Sequence, residues 1–310
     1  MYKSFYHLQK SPFEITPDPS FLFPTLRHNE ALATLYYGVT AHRGFVVLTG
    51  EVGTGKTLLL RALLGLLQRG DTAFSLVFNP TLSPLEFLRY IVGDFGLATA
   101  GKAKDELLHA LNVFLLQRYQ QARTTLLVVD EAHHLSPEVL EEIRLLTNLE
   151  TSQQKLLQIV LAGQPELDQN LDTYDLRQLK QRIALHCHLD CLNANETGEY
   201  IRRRLTIAGA ESGKTLFDEG AITAVHRYSK GVPRLVNTIC ENSLLAGYAK
   251  QQETVTQEII DGVALDLRLV PALMEEKGNG QVGAEDENLL RAVKILLEKR
   301  GQADPKGRLQ

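Results

Sequence analysis

Residues 50–57 read Gly50-Glu51-Val52-Gly53-Thr54-Gly55-Lys56-Thr57 and follow the apolar run Phe45-Val46-Val47-Leu48. Such a strand ending in a glycine-rich turn lets main-chain N–H groups converge on one anion. A lysine placed directly after the last glycine reaches the β- and γ-phosphates of a nucleoside triphosphate, and the adjoining hydroxyl ligates Mg²⁺. The apolar helix pattern from Leu58 to Gln68 points its positive end at the same anion. The spacing predicts a triphosphate cradle built from Gly50 to Leu58, with Lys56 on the phosphates and Thr57 on the metal.

Hydrolysis needs a second apolar strand ending in carboxylates, and Leu126-Leu127-Val128-Val129-Asp130-Glu131 supplies one. Asp130 would hold Mg²⁺ through water, and Glu131 would polarise the water that attacks the γ-phosphate. Five further positions bear on the same chemistry. Gln164 follows the strand pattern Leu156 to Ala162 and is placed to orient that water, or simply to cap the strand. Asn79 ends the pattern Ala73 to Phe78 and is placed to hold Glu131 inactive until a partner binds. Arg177 and Arg182 lie in a segment of three cations, either as an arginine finger for the next protomer's ATP or as a solvated helix face. Arg234 opens a later helix after Gly231-Val232-Pro233 and would reach back to the γ-phosphate.

Strand patterns at 44–49, 73–78, 125–130, 156–162 and 183–189 alternate with helical ones at 58–68, 84–95, 104–121, 137–149 and 175–182. Apolar strands separated by helices argue a parallel sheet covered on both faces. After Leu192 only helical patterns remain, at 196–209, 218–229, 233–250 and 256–267, with Asn195, Asp218 and Thr256 as caps. We read residues 1–43 as a proline-punctuated arm and a first helix packing on the core, 44–192 as the nucleotide-binding core, and 193–268 as a helical lid. Residues 269–310 read as a linker, an amphipathic helix around Leu289, Leu290, Val293, Leu296 and Leu297, and a polar end.

The 310 residues are 44% hydrophobic and 23% charged, as in ordinary globular chains, and the net charge of −4 gives no bulk attraction to nucleic acid. The three cysteines are too few for a disulfide framework, the N-terminus is too polar for a signal peptide, and no run approaches the ~18 apolar residues of a membrane helix. A cytoplasmic location and no integral membrane segment are expected.

In this order the pieces resemble the AAA+ ATPases, within them the group around general secretion pathway protein A (the ExeA-like ATPases). The resemblance spans about Met1 to Leu267 and extends beyond the phosphate loop. It includes Ser11-Pro12-Phe13, Thr16-Pro17-Asp18-Pro19, Arg27-His28-Asn29-Glu30-Ala31-Leu32, the run Leu140 to Thr151, Leu161-Ala162-Gly163-Gln164-Pro165-Glu166-Leu167, Gln178-Leu179-Lys180-Gln181-Arg182-Ile183 and Gly231-Val232-Pro233-Arg234-Leu235-Val236-Asn237. It implies an ATP-hydrolysing motor or switch with a five-stranded sheet, a helical lid, and ATP sites shared between protomers of a homo-oligomer. It also makes Pro12 and Phe13 the adenine-side wall. The function so implied is assembly of a secretion, pilus or exopolysaccharide system of the cell envelope, with a protein partner from that system. The alternatives are a DNA-binding ATP switch of the transposition-regulator kind and an ATP-dependent scaffold with little turnover.

Four other signals are set aside. Gly209-Ala210-Glu211-Ser212-Gly213-Lys214-Thr215 is one residue short of a phosphate loop and follows a helix. In His186-Cys187-His188-Leu189-Asp190-Cys191 a strand turns the thiols and imidazoles to opposite faces, which excludes one tetrahedral site. Asp130-Glu131-Ala132-His133 spells a helicase box, but no second parallel sheet follows. Arg202, Arg203 and Arg204 cannot share one helix face and read as solvated with partial contacts.

Overall fold

The computed structural model describes residues 1–14, 21, 23–68, 71–78, 81–211 and 215–269. Five strands, β1 (Phe45–Gly50), β2 (Ala73–Val77), β3 (Thr125–Val129), β4 (Gln158–Gly163) and β5 (Leu185–Leu189), form one parallel sheet in the order β2-β3-β4-β1-β5. Strands β1, β3 and β4 are buried at every residue, and their near-continuous apolar sequences reflect helices on both faces. The edge strand β5 alternates, with His186 and His188 outward. Because β4 lies between β1 and β3, its carboxyl end, and therefore Gln164, emerges between the phosphate loop and Asp130.

The helices before and around the sheet are α1 (Tyr2–Phe5), α2 (Leu26–Thr40), α3 (Lys56–Leu67), α4 (Pro84–Asp94), α5 (Lys104–Gln120), α6 (Pro137–Leu146), α7 (Glu166–Leu171) and α8 (Arg177–Lys180). Phe45, Val47, Leu127, Val129, Ile159 and Leu161 point to one face, where they meet Phe87, Ile91, Leu107, Leu111 and Ile143. Val46, Leu48, Leu126, Val128 and Val160 point to the other, against Leu35 and Val39 of α2 and Leu59 and Leu63 of α3. The segment expected as one helix over 175–182 is a 3₁₀ turn at Tyr174–Leu176 followed by α8, and α7 is an additional short helix behind Pro165.

A second apolar cluster belongs to α9 (Ala194–Ile207), α10 (Glu219–Ser229), α11 (Pro233–Ala249) and α12 (Gln257–Asp266). Asp218 caps α10 through the Ala221 N–H, whereas Thr256 precedes α12 without a side-chain capping bond. The cap of α9 is Asn193, not Asn195. Asn193 accepts the Glu196 N–H and donates its own N–H to the Glu196 carboxylate, both at 2.9 Å, which satisfies two end groups at once.

The first residues of the chain depart from their expected place. Tyr2, Tyr6, Leu8 and Phe13 are buried among the lid helices, while α2 packs on the sheet. The Tyr2 hydroxyl donates to Glu241 at 2.6 Å and the Tyr6 hydroxyl to the Gln252 carbonyl at 3.0 Å. A four-helix unit this small closes little apolar surface by itself, and these aromatic side chains complete its core. Sheet and lid join where Leu192 donates its N–H to the Gly231 carbonyl at 2.9 Å. Only glycine fits there: φ is +74°, and a Cβ would fall 1.8 Å from the Leu192 carbonyl oxygen. Residues 270–310, with the expected amphipathic helix, lie outside the described residues, as do Ser212, Gly213 and Lys214.

Candidate nucleotide site

The loop after β1 turns through Gly53 and Gly55, both in left-handed conformations, and delivers Lys56 as the first residue of α3. Lys56 is 5% exposed, and its Nζ donates to the carbonyls of Gly50 at 2.7 Å and Glu51 at 2.9 Å. Burial lowers its pKa, opposed by the negative charges of Glu131, Asp130, Glu51 and Glu166. The Thr57 hydroxyl donates to Asp130 Oδ2 at 2.6 Å, joining the two halves of the predicted site. Burial raises the Asp130 pKa, and the bond from Thr57 works against that rise.

Glu131 follows directly with φ +53°, a left-handed conformation uncommon outside glycine, and leads into a 3₁₀ turn over Ala132–His134. His133 is folded back under the sheet end with its side chain 6% exposed. Its Nδ1 accepts the main-chain N–H of Gln164 at 3.3 Å and lies 3.6 Å from Glu131 Oε2. Gln164 therefore meets the region of Glu131 through His133.

The lid closes over this corner. The Arg234 N–H donates to the Gly53 carbonyl at 3.2 Å, and a Cβ on Gly53 would lie 2.6 Å from the Arg234 Cβ. Between loop and lid is a cavity of about 270 Å³, with Val52, Gly53, Gly55, Lys56, Thr57, Leu58 and Glu131 on the core side. Tyr200, Arg204, Pro233, Arg234 and Asn237 line the lid side, and Glu14 the arm. The Tyr200 hydroxyl donates to Asn237 Oδ1 at 2.9 Å. Arg204 donates to the Pro12 carbonyl at 3.0 Å, with its guanidinium carbon 4.7 Å from the Phe21 ring centre and 5.2 Å from that of Tyr200.

The arm reaches the cavity differently from the expectation. Phe13 is fully buried, edge-on to Phe217 at 5.9 Å, because the lid core takes its ring. Among the described arm residues, Pro12 offers its carbonyl to Arg204 and Glu14 lines the cavity. Arg204 itself is buried rather than solvated; its signal was the helical spacing Tyr200 to Arg204, which sets both on one face of α9.

His28 is a second residue that sequence reasoning passed over. Its Nδ1 lies 2.6 Å from the Thr25 hydroxyl and its Nε2 3.4 Å from the Thr54 carbonyl, so α2 braces the phosphate loop from behind. Burial lowers its pKa, and the neutral ring with its proton on Nε2 suits both neighbours. Arg177 is exposed with its guanidinium carbon 3.8 Å from the centre of the Tyr174 ring, and Arg182 lies before β5; neither lines the cavity. Asn79 lies outside the described residues. On β5, His186 pairs with Asp168 and His188 with Asp190, while burial pushes the Cys187 thiol up to about 12, so imidazoles and thiol do face apart.

Sulfur-free oxygen donors suit a hard cation: Mg²⁺ takes one or two protein oxygens and keeps waters and phosphate oxygens for the rest, which Thr57 and Asp130 satisfy.

Residues 39–171 match the AAA domain family. Over 268 residues the chain is 42% identical to general secretion pathway protein A of Aeromonas hydrophila, covering 86% of this chain and 48% of that protein, about half its length. Among solved structures, the ORC2 protein of Aeropyrum pernix is similar with a TM-score of 0.60 at 15% identity, covering 83% of this chain and 72% of that one. Cdc6p of Pyrobaculum aerophilum gives 0.61 at 17% identity over 83% and 70% of the two chains. The RuvB Holliday junction branch migration motor of Thermotoga maritima gives 0.55 at 17% over 89% and 82%. At those identities the likeness is one of fold: the parallel sheet with a helical unit behind it. No helix among the described residues is long and apolar enough to cross a membrane. Motif, fold and sequence relationship together bear out the resemblance to the AAA+ ATPases around general secretion pathway protein A.

Proposed function

We propose that this chain binds ATP with Mg²⁺ in the cavity between loop and lid and hydrolyses it as part of a homo-oligomer. The observation that carries the reading is the 2.6 Å bond from Thr57 to Asp130, with Glu131 lining the same cavity as Lys56 and Arg234. The loop amides, the α3 N-terminus and Lys56 bind the phosphates, and Thr57 and Asp130 hold the cation, which supplies charge neutralisation on the phosphate oxygens when bound. Glu131 takes the proton of the attacking water, and Gln164 orients that water. Arg234 senses the γ-phosphate from the lid and so ties lid position to nucleotide state. Arg177 or Arg182, outside the cavity, serves the neighbouring protomer's ATP.

The process served is assembly or gating of an envelope-associated machine, at the cytoplasmic face, through a protein partner. What supports it is the 42% identity to a protein named for the general secretion pathway, together with a net charge of −4. The test is steady-state ATP hydrolysis with and without double-stranded DNA at low salt. Turnover indifferent to DNA agrees with this reading. Strong, salt-sensitive stimulation would replace it with an ATP switch acting on DNA.

A further inference from the structure

The side chain left without a role is His133, the last letter of the box set aside above. It is no surface histidine. Its side chain is only 6% exposed, follows the carboxyl end of β3, and lies against both of the residues that prepare the attacking water. Burial and its neighbour His134 lower its pKa, so the ring is neutral near pH 7. A neutral imidazole carries one proton. Since Nδ1 accepts the Gln164 main-chain N–H, that proton sits on Nε2, and the Gln164 carboxamide nitrogen lies 2.7 Å from that nitrogen as placed. Two donors do not bond each other, so the carboxamide turns its oxygen to Nε2 and its NH₂ away.

We propose that His133 is a positioning residue that holds the Gln164 carboxamide with its NH₂ free for the γ-phosphate side. The inference rests on the proposed hydrolysis and deepens it. Gln164 alone is a free amide at a strand tip, with two orientations of which one presents a donor. The His133 ring selects that one through two bonds on its two nitrogens, and Nδ1 lies 3.6 Å from the Glu131 carboxylate without a proton to share with it. The Asn170 carboxamide, which donates to the His133 carbonyl at 3.4 Å, adds a tether from α7 to the same turn.

The test is steady-state kinetics and ATP binding for His133→Ala, Gln164→Ala, the double variant, His133→Gln and His133→Asn, with Glu131→Gln alongside. His133→Ala and Gln164→Ala should each lower kcat about tenfold, leave the ATP Kd within about twofold, and combine with no further loss, because each removes the same linkage. His133→Gln, which keeps a donor at the Nε2 position, should recover most of kcat; His133→Asn, which keeps only the inner acceptor, should not. The two amide variants also keep the buried turn polar and hydrogen-bonded should alanine fail to fold. Wild-type kcat in His133→Ala, multiplicative losses in the double variant, or equal recovery by both amides would overturn the inference. An inactive Glu131→Gln accompanying those results confines the failure to His133. A fully active Glu131→Gln would instead remove the hydrolytic reading beneath it.

Discussion

The main-chain N–H of Arg234 donates to the carbonyl of Gly53, so the lid rests directly on the glycine-rich loop after β1. Gly53→Ala tests that contact. A side chain there meets both a strained φ of +82° and the Arg234 Cβ. The strain and the displaced lid should weaken ATP affinity about tenfold or more in a fluorescent-nucleotide titration. Unchanged affinity would mean that lid and loop move independently.

Removing the guanidinium in Arg234→Ala keeps the main-chain bond and isolates the charge. We expect kcat to fall by about 10²-fold, with a smaller loss of binding, as for a cation that acts on the transferring phosphoryl group. A pure rise in KM at constant kcat would assign Arg234 to binding alone.

Arg204 joins three segments: the arm at Pro12, the Phe21 ring, and α9 at Tyr200. Arg204→Ala should destabilise the protein by about 2–4 kcal/mol in chemical denaturation, since stacking and a buried charge-assisted bond are lost together. Arg204→Lys should recover little, because an ammonium cannot stack between two rings. Full stability of the lysine variant would show that charge alone matters.

Burial lowers the pKa values of His28, His42, His133 and His226. A histidine whose folded value lies below its unfolded one binds fewer protons folded than unfolded. Its contribution is fully present above the ordinary value of about 6.5 and is lost as pH falls from there through the folded value. Asp130, raised by burial, has the opposite sign. Tm should therefore be level from pH 8 to about 7 and decline toward pH 5, and His28→Gln should flatten the decline. A Tm that rises on acidification would contradict the assigned neutral rings.

The sheet was legible because β1, β3 and β4 are apolar without interruption, and the phosphate loop because glycines and Lys56 must sit at fixed places. Strand order was not written in those runs; the structure supplies it, and with it the position of Gln164 between the phosphate loop and Asp130. What stayed hidden depends on contacts distant in sequence. Phe13 looked like a wall for the base, but its ring is claimed by Phe217, more than two hundred positions away. Arg204 looked solvated because nothing local announces that Pro12 and Phe21 will close over it. His133 was read as part of a helicase box, and only the β3–β4 adjacency brings Gln164 to its ring.

The central claim is that Lys56 binds and Glu131 hydrolyses. The direct measurement is phosphate release and ATP affinity, side by side, for the wild type, Lys56→Ala and Glu131→Gln. The account predicts turnover by the wild type, loss of ATP binding in Lys56→Ala, and retained binding with turnover reduced by about 10²-fold or more in Glu131→Gln. Wild-type turnover in Glu131→Gln would contradict it.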